Sequence, residues 1–204
     1  LMGQHVNYKQ RYRTKQARFW ASSYEDKRPE LTNAQRKMLS HYDNATLYND
    51  SIVAQIVKRF QKQDAIVIYV PDHGEECYEE NRGFICRNHS AEIDWPLAHY
   101  EFEIPFWIYC SPKYIRNHRD IYRQIRKAKD KRFMTDALPH LLLYLAGIET
   151  PTYKEEYNIL SPKYDEMRPR ILKNSADYDK LRDAHLEKIK KEESKKVKKK
   201  ERRN

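Results

Sequence analysis

The sequence predicts an α/β fold, a mixed sheet flanked by helices and followed by a basic C-terminal tail. Three observations carry this expectation. A helical stripe over residues 31–63 runs directly into an apolar, β-branched run, Ala65-Ile66-Val67-Ile68-Tyr69-Val70, and a helix feeding a strand is the building pattern of α/β sheets. That run is apolar at consecutive positions, as in a strand buried on both faces. It ends in Pro71-Asp72-His73-Gly74-Glu75, which puts a carboxylate and an imidazole at the carboxyl end of a strand, where open α/β sheets bind their ligands.

A chain of 204 residues has room for one ordinary α/β domain. The net charge is +10 and the mean hydropathy −1.03, polar for a globular protein. With 16 Tyr and 6 Phe, the sequence is too aromatic for wholesale disorder. It contains neither an apolar run of roughly 18 residues nor a signal-peptide pattern. The opening Leu1-Met2-Gly3 reads as the interior of a domain.

Residues 1–13 form a polar, tyrosine-rich loop in which His5 follows Gly3, and Tyr8, Arg11 and Tyr12 look like anchors. By itself His5 reads as an exposed loop histidine. Residues 14–30 lack a period and end near Pro29; Ala17, Phe19 and Trp20 are candidate anchors of this irregular connection. Residues 31–63 carry Thr32 or Asn33 as N-cap and Met38, Tyr42, Ala45, Ile52, Ile56 and Phe60 as the core-facing stripe. Lys58, Arg59 and Lys62 suit the helix C-terminus. Asp43, Asn44 and Asp50 read as part of a solvated face.

After the strand at 65–70, residues 75–100 lack periodicity and read as a long loop over the Asp-His pair, with His89 in its middle. Cys77 and Cys86 flank part of this loop; they could close it as a disulfide or stay apart. Residues 103–110 form a second buried strand, with Pro105 near its start and Cys110 a buried thiol at its end. Ser111-Pro112 stops it, and residues 115–131 form a basic surface helix. Residues 136–146 form a compact helix, with Asp136 as N-cap, Leu138, Leu141, Leu142 and Leu145 buried, and Gly147 just past its end. Residues 1–173 are expected to be domain and 174–204 a lysine- and arginine-rich tail, helical or disordered.

Taken in order, Gly3-Gln4-His5, Tyr42-Asp43-Asn44, Asp72-His73-Gly74-Glu75 and His89 resemble the carboxyl-terminal part of the sulfatase-like phosphoethanolamine transferases, within the alkaline-phosphatase-like superfamily. The family's histidine loop, Gly-Ser-His-Gly-x-x-Tyr-x-x-Arg-Tyr-Pro, is matched at Gly3, His5, Tyr8, Arg11 and Tyr12 and lost at Gln4, Val6 and Arg13. The family's Tyr-Asp-Asn-Thr-Ile-Leu-Tyr-x-Asp appears as Tyr42-Asp43-Asn44-Ala45-Thr46-Leu47-Tyr48-Asn49-Asp50, and its Ser-Asp-His-Gly-Glu-Ser as Pro71-Asp72-His73-Gly74-Glu75-Glu76. Leu145-Ala146-Gly147-Ile148 followed by Thr150-Pro151 is similar to its last helix and the loop beyond.

The resemblance implies part of an alkaline-phosphatase/sulfatase-like mixed sheet. It implies zinc, with Asp72 and His73 as ligands, and His5 and His89 against the phosphoryl group. His89 departs from the family pattern, standing in Asn88-His89-Ser90 where the family has Leu-His-Gly. Asp43 and Asn44 would fix the long helix against the site. The implied reaction is transfer of phosphoethanolamine from phosphatidylethanolamine, through a threonine nucleophile, to lipid A or another envelope glycan. The implied location is the bacterial inner membrane, held by transmembrane segments, with the catalytic part in the periplasm. The nucleophile and an acidic zinc ligand lie upstream of the histidine loop in the family and so outside this chain. The isolated chain is therefore expected to be inactive and to hold metal weakly. A sulfatase- or phosphatase-like hydrolase is the enzymatic alternative. A nucleic-acid-binding module acting through the tail is the other, and the tail's lack of interleaved aromatics argues against it.

Overall fold

The computed structural model describes residues 7–83, 85–86 and 92–201. The chain divides into two compact units, Leu1–His89 with Ile104–Tyr114, and Ser90–Glu103 with Ile115–Asn204.

The first unit is built on helix α1, Asn33–Phe60. Thr32 and Gln35 start it with a reciprocal capping box. The Thr32 hydroxyl accepts from the Gln35 amide at 3.3 Å, and the Gln35 side chain accepts from the Thr32 amide at 2.8 Å. The buried stripe is Leu39, Ser40, Asn44, Ala45 and Val53. This corrects the expected stripe. Ala45 is buried as expected, whereas Met38 and Phe60 are exposed; the buried face takes in Ser40, whose hydroxyl donates to the Lys37 carbonyl of the same helix, and Asn44, which binds residues 18 and 19. Of the short 3₁₀ turns at Tyr8–Gln10, Thr14–Gln16 and Ala21–Tyr24, the first and third lie over α1. Tyr8, Tyr24, Leu31, Leu39, Ala45, Cys77 and Tyr78 form the core there, with Tyr12, Phe19 and Tyr42 packed against it. Trp20, a candidate anchor, is exposed.

Strand β1, Ile66–Tyr69, follows α1. A two-residue ladder joins β2, Glu76–Cys77, to β3, Ile85–Cys86. The loop expected over 75–100 is thus partly structured. It also carries the single turn α2, Trp95–Leu97, which continues as a π-type turn over Ala98–Phe102. The next strand, β4, Trp107–Cys110, pairs with β1 in antiparallel register, Ile66 with Cys110 and Tyr69 with Trp107. The α/β class stands as helices with small sheets, and the pairing inside it is antiparallel. Both strands are half-buried along their length rather than sealed on two faces, and among the described residues each has one strand neighbour.

Cys77 is a buried free thiol, and the ladder sets it opposite Ile85 while Cys86 faces Glu76. Cys110 is a half-buried free thiol. Ser111 closes β4. Its hydroxyl donates to the Gln63 carbonyl at 2.6 Å and accepts from the Tyr114 amide at 3.0 Å, starting α3, Pro112–Asn117.

In the second unit, the expected basic helix is broken at His118, so that α4 occupies Arg119–Ala128. Helix α5, Leu138–Ala146, follows a 3₁₀ turn at Thr135–Ala137 and ends at Gly147 with φ 66°. Leu141 is its buried leucine and Leu142 is exposed. The N-cap of α5 is Ala137 rather than Asp136, whose carboxylate takes both guanidinium nitrogens of Arg168, at 2.5 and 2.8 Å. A small ladder, β5 (Ile171–Leu172) with β6 (Ala176–Asp177), leads into α6, Tyr178–Glu201. Tyr178 and Leu181 of α6 pack with Ile93, Trp95, Leu97 and Ala98.

Candidate metal and phosphoryl site

Asp72 and His73 lie just past the carboxyl end of β1, where Pro71 cannot continue a strand ladder. The two side chains differ in environment. His73 is 10% exposed and Asp72 82%. The His73 Nδ1 lies 2.7 Å from the Gly74 carbonyl oxygen. A carbonyl can only accept, so Nδ1 donates in this contact, which in the neutral ring leaves Nε2 as the nitrogen able to hold a cation. This second hydrogen bond is how metal-binding histidines are commonly oriented.

Asp72 Oδ2 stands 3.6 Å from His73 Nε2. Two ligands about 2.1 Å from one tetrahedral ion are about 3.4 Å apart. The observed 3.6 Å is close to that separation, and it is also within the range of a direct imidazole–carboxylate pair. A carboxylate oxygen with an imidazole nitrogen is a donor set that suits zinc. Among the described residues no group of three or more His, Cys, Asp and Glu completes a metal cage. His5 and His89, the other two expected site residues, lie outside the described residues.

The turn bearing the pair is held from below. Tyr8 donates its hydroxyl to Glu75 Oε2 at 2.6 Å. Tyr8 is 4% exposed and meets the Tyr42 ring edge-on at 5.4 Å. A residue of the histidine loop, a residue of the Asp-His-Gly-Glu turn and a residue of α1 thus touch. Tyr8 is legible in the sequence as an anchor; its partner is not, because 67 residues separate them. Burial, with the Cys77 thiol and Glu75 nearby, pushes the Tyr42 phenol well above its ordinary value. Burial, then Glu79 and Glu75, does the same to the Cys77 thiol. Both shifts favour the neutral phenol and thiol over their anions.

Asp43 and Asn44 act on the scaffold. Asn44 is 2% exposed. Its Oδ1 accepts from the amides of Arg18 at 2.6 Å and Phe19 at 3.1 Å, and its Nδ2 donates to the carbonyls of Phe19 at 2.8 Å and Ser40 at 2.7 Å. Asp43 accepts from the Tyr24 hydroxyl. The solvated-face reading therefore fails at Asn44. Beside them Tyr12 Oη and His41 Nδ1 are 2.8 Å apart. Burial, then Lys9 and Lys37, holds that imidazole below its ordinary value of 6.5.

A protein-family model for the sulfatases matches residues 1–148. The chain belongs to the sulfatase family. Within it, this sulfatase-family chain is similar to phosphoethanolamine transferases. It is 31% identical over 170 residues to phosphoethanolamine transferase EptC of Escherichia coli K12, covering 81% of this chain and 28% of that protein. It is 31% identical over 133 residues to the Kdo(2)-lipid A phosphoethanolamine 7''-transferase of the same strain, covering 64% of this chain and 22% of that protein. The crystal structure of the C-terminal periplasmic domain of E. coli EptC in complex with Zn superposes with a TM-score of 0.69 at 28% identity, over 88% of this chain and 50% of that one. The fold is thus that of the alkaline-phosphatase-like EptC periplasmic domain. The chain spans about half the solved domain and under a third of the curated relatives it matches. Among the described residues no helix is long and apolar enough to cross a membrane.

Proposed function

We propose that this chain is the carboxyl-terminal portion of the catalytic domain of a zinc-dependent phosphoethanolamine transferase. It would act at the periplasmic face of a bacterial inner membrane, moving the headgroup of phosphatidylethanolamine to lipid A or a related envelope glycan. The observation that carries this reading is the 3.6 Å spacing of Asp72 Oδ2 and His73 Nε2, with the Nδ1 proton engaged by Gly74. Asp72 and His73 would hold the metal. When bound, it would lower the pKa of the attacking hydroxyl and offset charge on the phosphoryl oxygens.

The chain's own residues do the rest. His73 keeps one tautomer because Gly74 occupies its other nitrogen. Glu75 and Tyr8 hold the turn in register with the histidine loop. His5 and His89 are the candidate proton donors or oxyanion stabilisers for the transfer. The EptC complex with Zn supports the metal, and the lipid A named for the second relative supports the acceptor class.

The test is made in the full-length protein with labelled phosphatidylethanolamine. Asp72→Asn and His73→Gln are expected to lose bound zinc by elemental analysis and to lose transfer with it. His5→Ala and His89→Ala are expected to keep zinc and lower turnover by about 100-fold or more. Full zinc in the first pair, or full transfer in the second, rejects the assignment. Label appearing as free phosphoethanolamine rather than on lipid A makes the enzyme a hydrolase.

A further inference from the structure

Helix α4 is amphipathic in an unusual way. Ile121, Gln124, Ile125 and Ala128, at steps of three and four, form its inward face. Gln124 accepts from the Tyr144 hydroxyl of α5 at 2.9 Å, which pins that face to the unit. The opposite face, at the same steps, is Arg119, Tyr122, Arg123, Arg126 and Lys127. Arg116 of α3 extends it. Ile115, Arg116, Arg119, Tyr122 and Arg123 line one open depression of ≈ 540 Å³.

The charges on this face are not neutralised. Asp120 pairs with Arg123, and both are exposed. Arg116, Arg119, Arg126 and Lys127 are exposed and have no acidic partner among the described residues. Elsewhere the same unit pairs its arginines closely. Arg132, Arg170 and Arg182 converge on Asp179, and Arg168 takes Asp136. Outside the lysine-rich α6 the unit's other buried or half-buried arginines are matched to carboxylates, so the unmatched arginine stripe of α4 points to an anionic partner.

We propose that this face of α4 docks on the headgroups of an anionic phospholipid bilayer. Guanidinium forks match phosphate oxygens two at a time, and arginine predominates on the face. Tyr122 stands among them with an apolar ring and a polar tip, a side chain suited to headgroup depth. The inward face is occupied by the protein's own core, so α4 lies on the bilayer by charge and does not insert. A lipid surface rather than another polyanion fits relatives that modify a lipid. The choice of a lipid over another polyanion rests on the proposed transferase reading; the positive charge of the face does not.

The experiment is sedimentation of the full chain with vesicles of about one part phosphatidylglycerol to three of phosphatidylcholine in 0.1 M salt. The variant Arg116→Gln, Arg119→Gln, Arg126→Gln, Lys127→Gln is expected to lower partitioning by at least about tenfold with unchanged circular dichroism. A control removing equal charge from α6, Lys188→Gln, Lys190→Gln, Lys191→Gln, Lys195→Gln, is expected to lower it less than about threefold. Raising salt to about 0.5 M is expected to release the native chain. Equal losses in the two variants, no loss in the α4 variant, or binding that survives high salt would overturn the proposal. So would tighter binding of duplex DNA than of vesicles, lost in the same α4 variant. The salt series tests the native chain, independently of any variant's folding.

Discussion

Asn44 shows how much one buried amide can organise. All four of its hydrogen bonds go to backbone groups, three of them on residues 18 and 19. It substitutes for a strand neighbour that the irregular segment lacks. Asn44→Ala is expected to leave those buried groups unpaired and to cost about 3 kcal/mol, read as a lowered denaturant midpoint. Asn44→Asp keeps the acceptor but sets a buried carboxylate oxygen against the Phe19 and Ser40 carbonyls, so it should cost at least as much as the alanine at neutral pH. The single-residue lesson at His73 is of the same kind. The neighbouring carbonyl of Gly74 sets which imidazole nitrogen is available, and with it the chemistry of the site.

At the scale of elements, α1 matters because it is both a wall of the core and the bearing surface for the 3₁₀ turns at Tyr8–Gln10 and Ala21–Tyr24. Its first turn is closed by the Thr32–Gln35 box, with an added contact between the two side chains at 2.9 Å. Thr32→Ala should cost about 1 kcal/mol in thermal or chemical unfolding. The break between α3 and α4 is another decision made at this scale. A sequence of continuous basic helical character is interrupted at His118, where φ −125° and ψ 50° leave the helical region. That break lets Ser111 and Pro112 start one helix while α4 sets its own buried face against α5.

At the scale of the whole molecule, the second unit is tied by charge as much as by apolar packing. Asp179 at the start of α6 accepts from Arg132 and Arg170, with Arg182 at 3.4 Å. These guanidinium groups, the Arg170 hydrogen bond first, hold its carboxyl below its ordinary 3.8. A depressed carboxylate contributes stability above the unfolded value, and that contribution is lost as pH falls through the folded one. The native chain should therefore lose melting temperature below about pH 4 partly through this residue. Asp179→Asn should cost about 2 kcal/mol at neutral pH and flatten that acid limb, which melts followed by circular dichroism would reveal.

The sequence by itself determined the α/β class, the helix over α1, both main strands, the Asp-His turn at a strand's carboxyl end and the family. Each of these is local or is an ordered series of short motifs, and local propensity and spacing survive in any context. What it left undecided were the long-range choices. Periodicity marked a helix face but not its rotation: Ala45 is buried as expected, Met38 and Phe60 are not, and Asn44 takes a place on the buried face because its side chain binds residues 18 and 19. Apolar runs marked strands but not their direction, which the return path from β1 to β4 made antiparallel. Adjacent letters marked Asp72 and His73 as a candidate pair. Only the tertiary structure set their 3.6 Å spacing and tied their turn to Tyr8. That tie is a contact between distant residues, and no one-dimensional pattern encodes it.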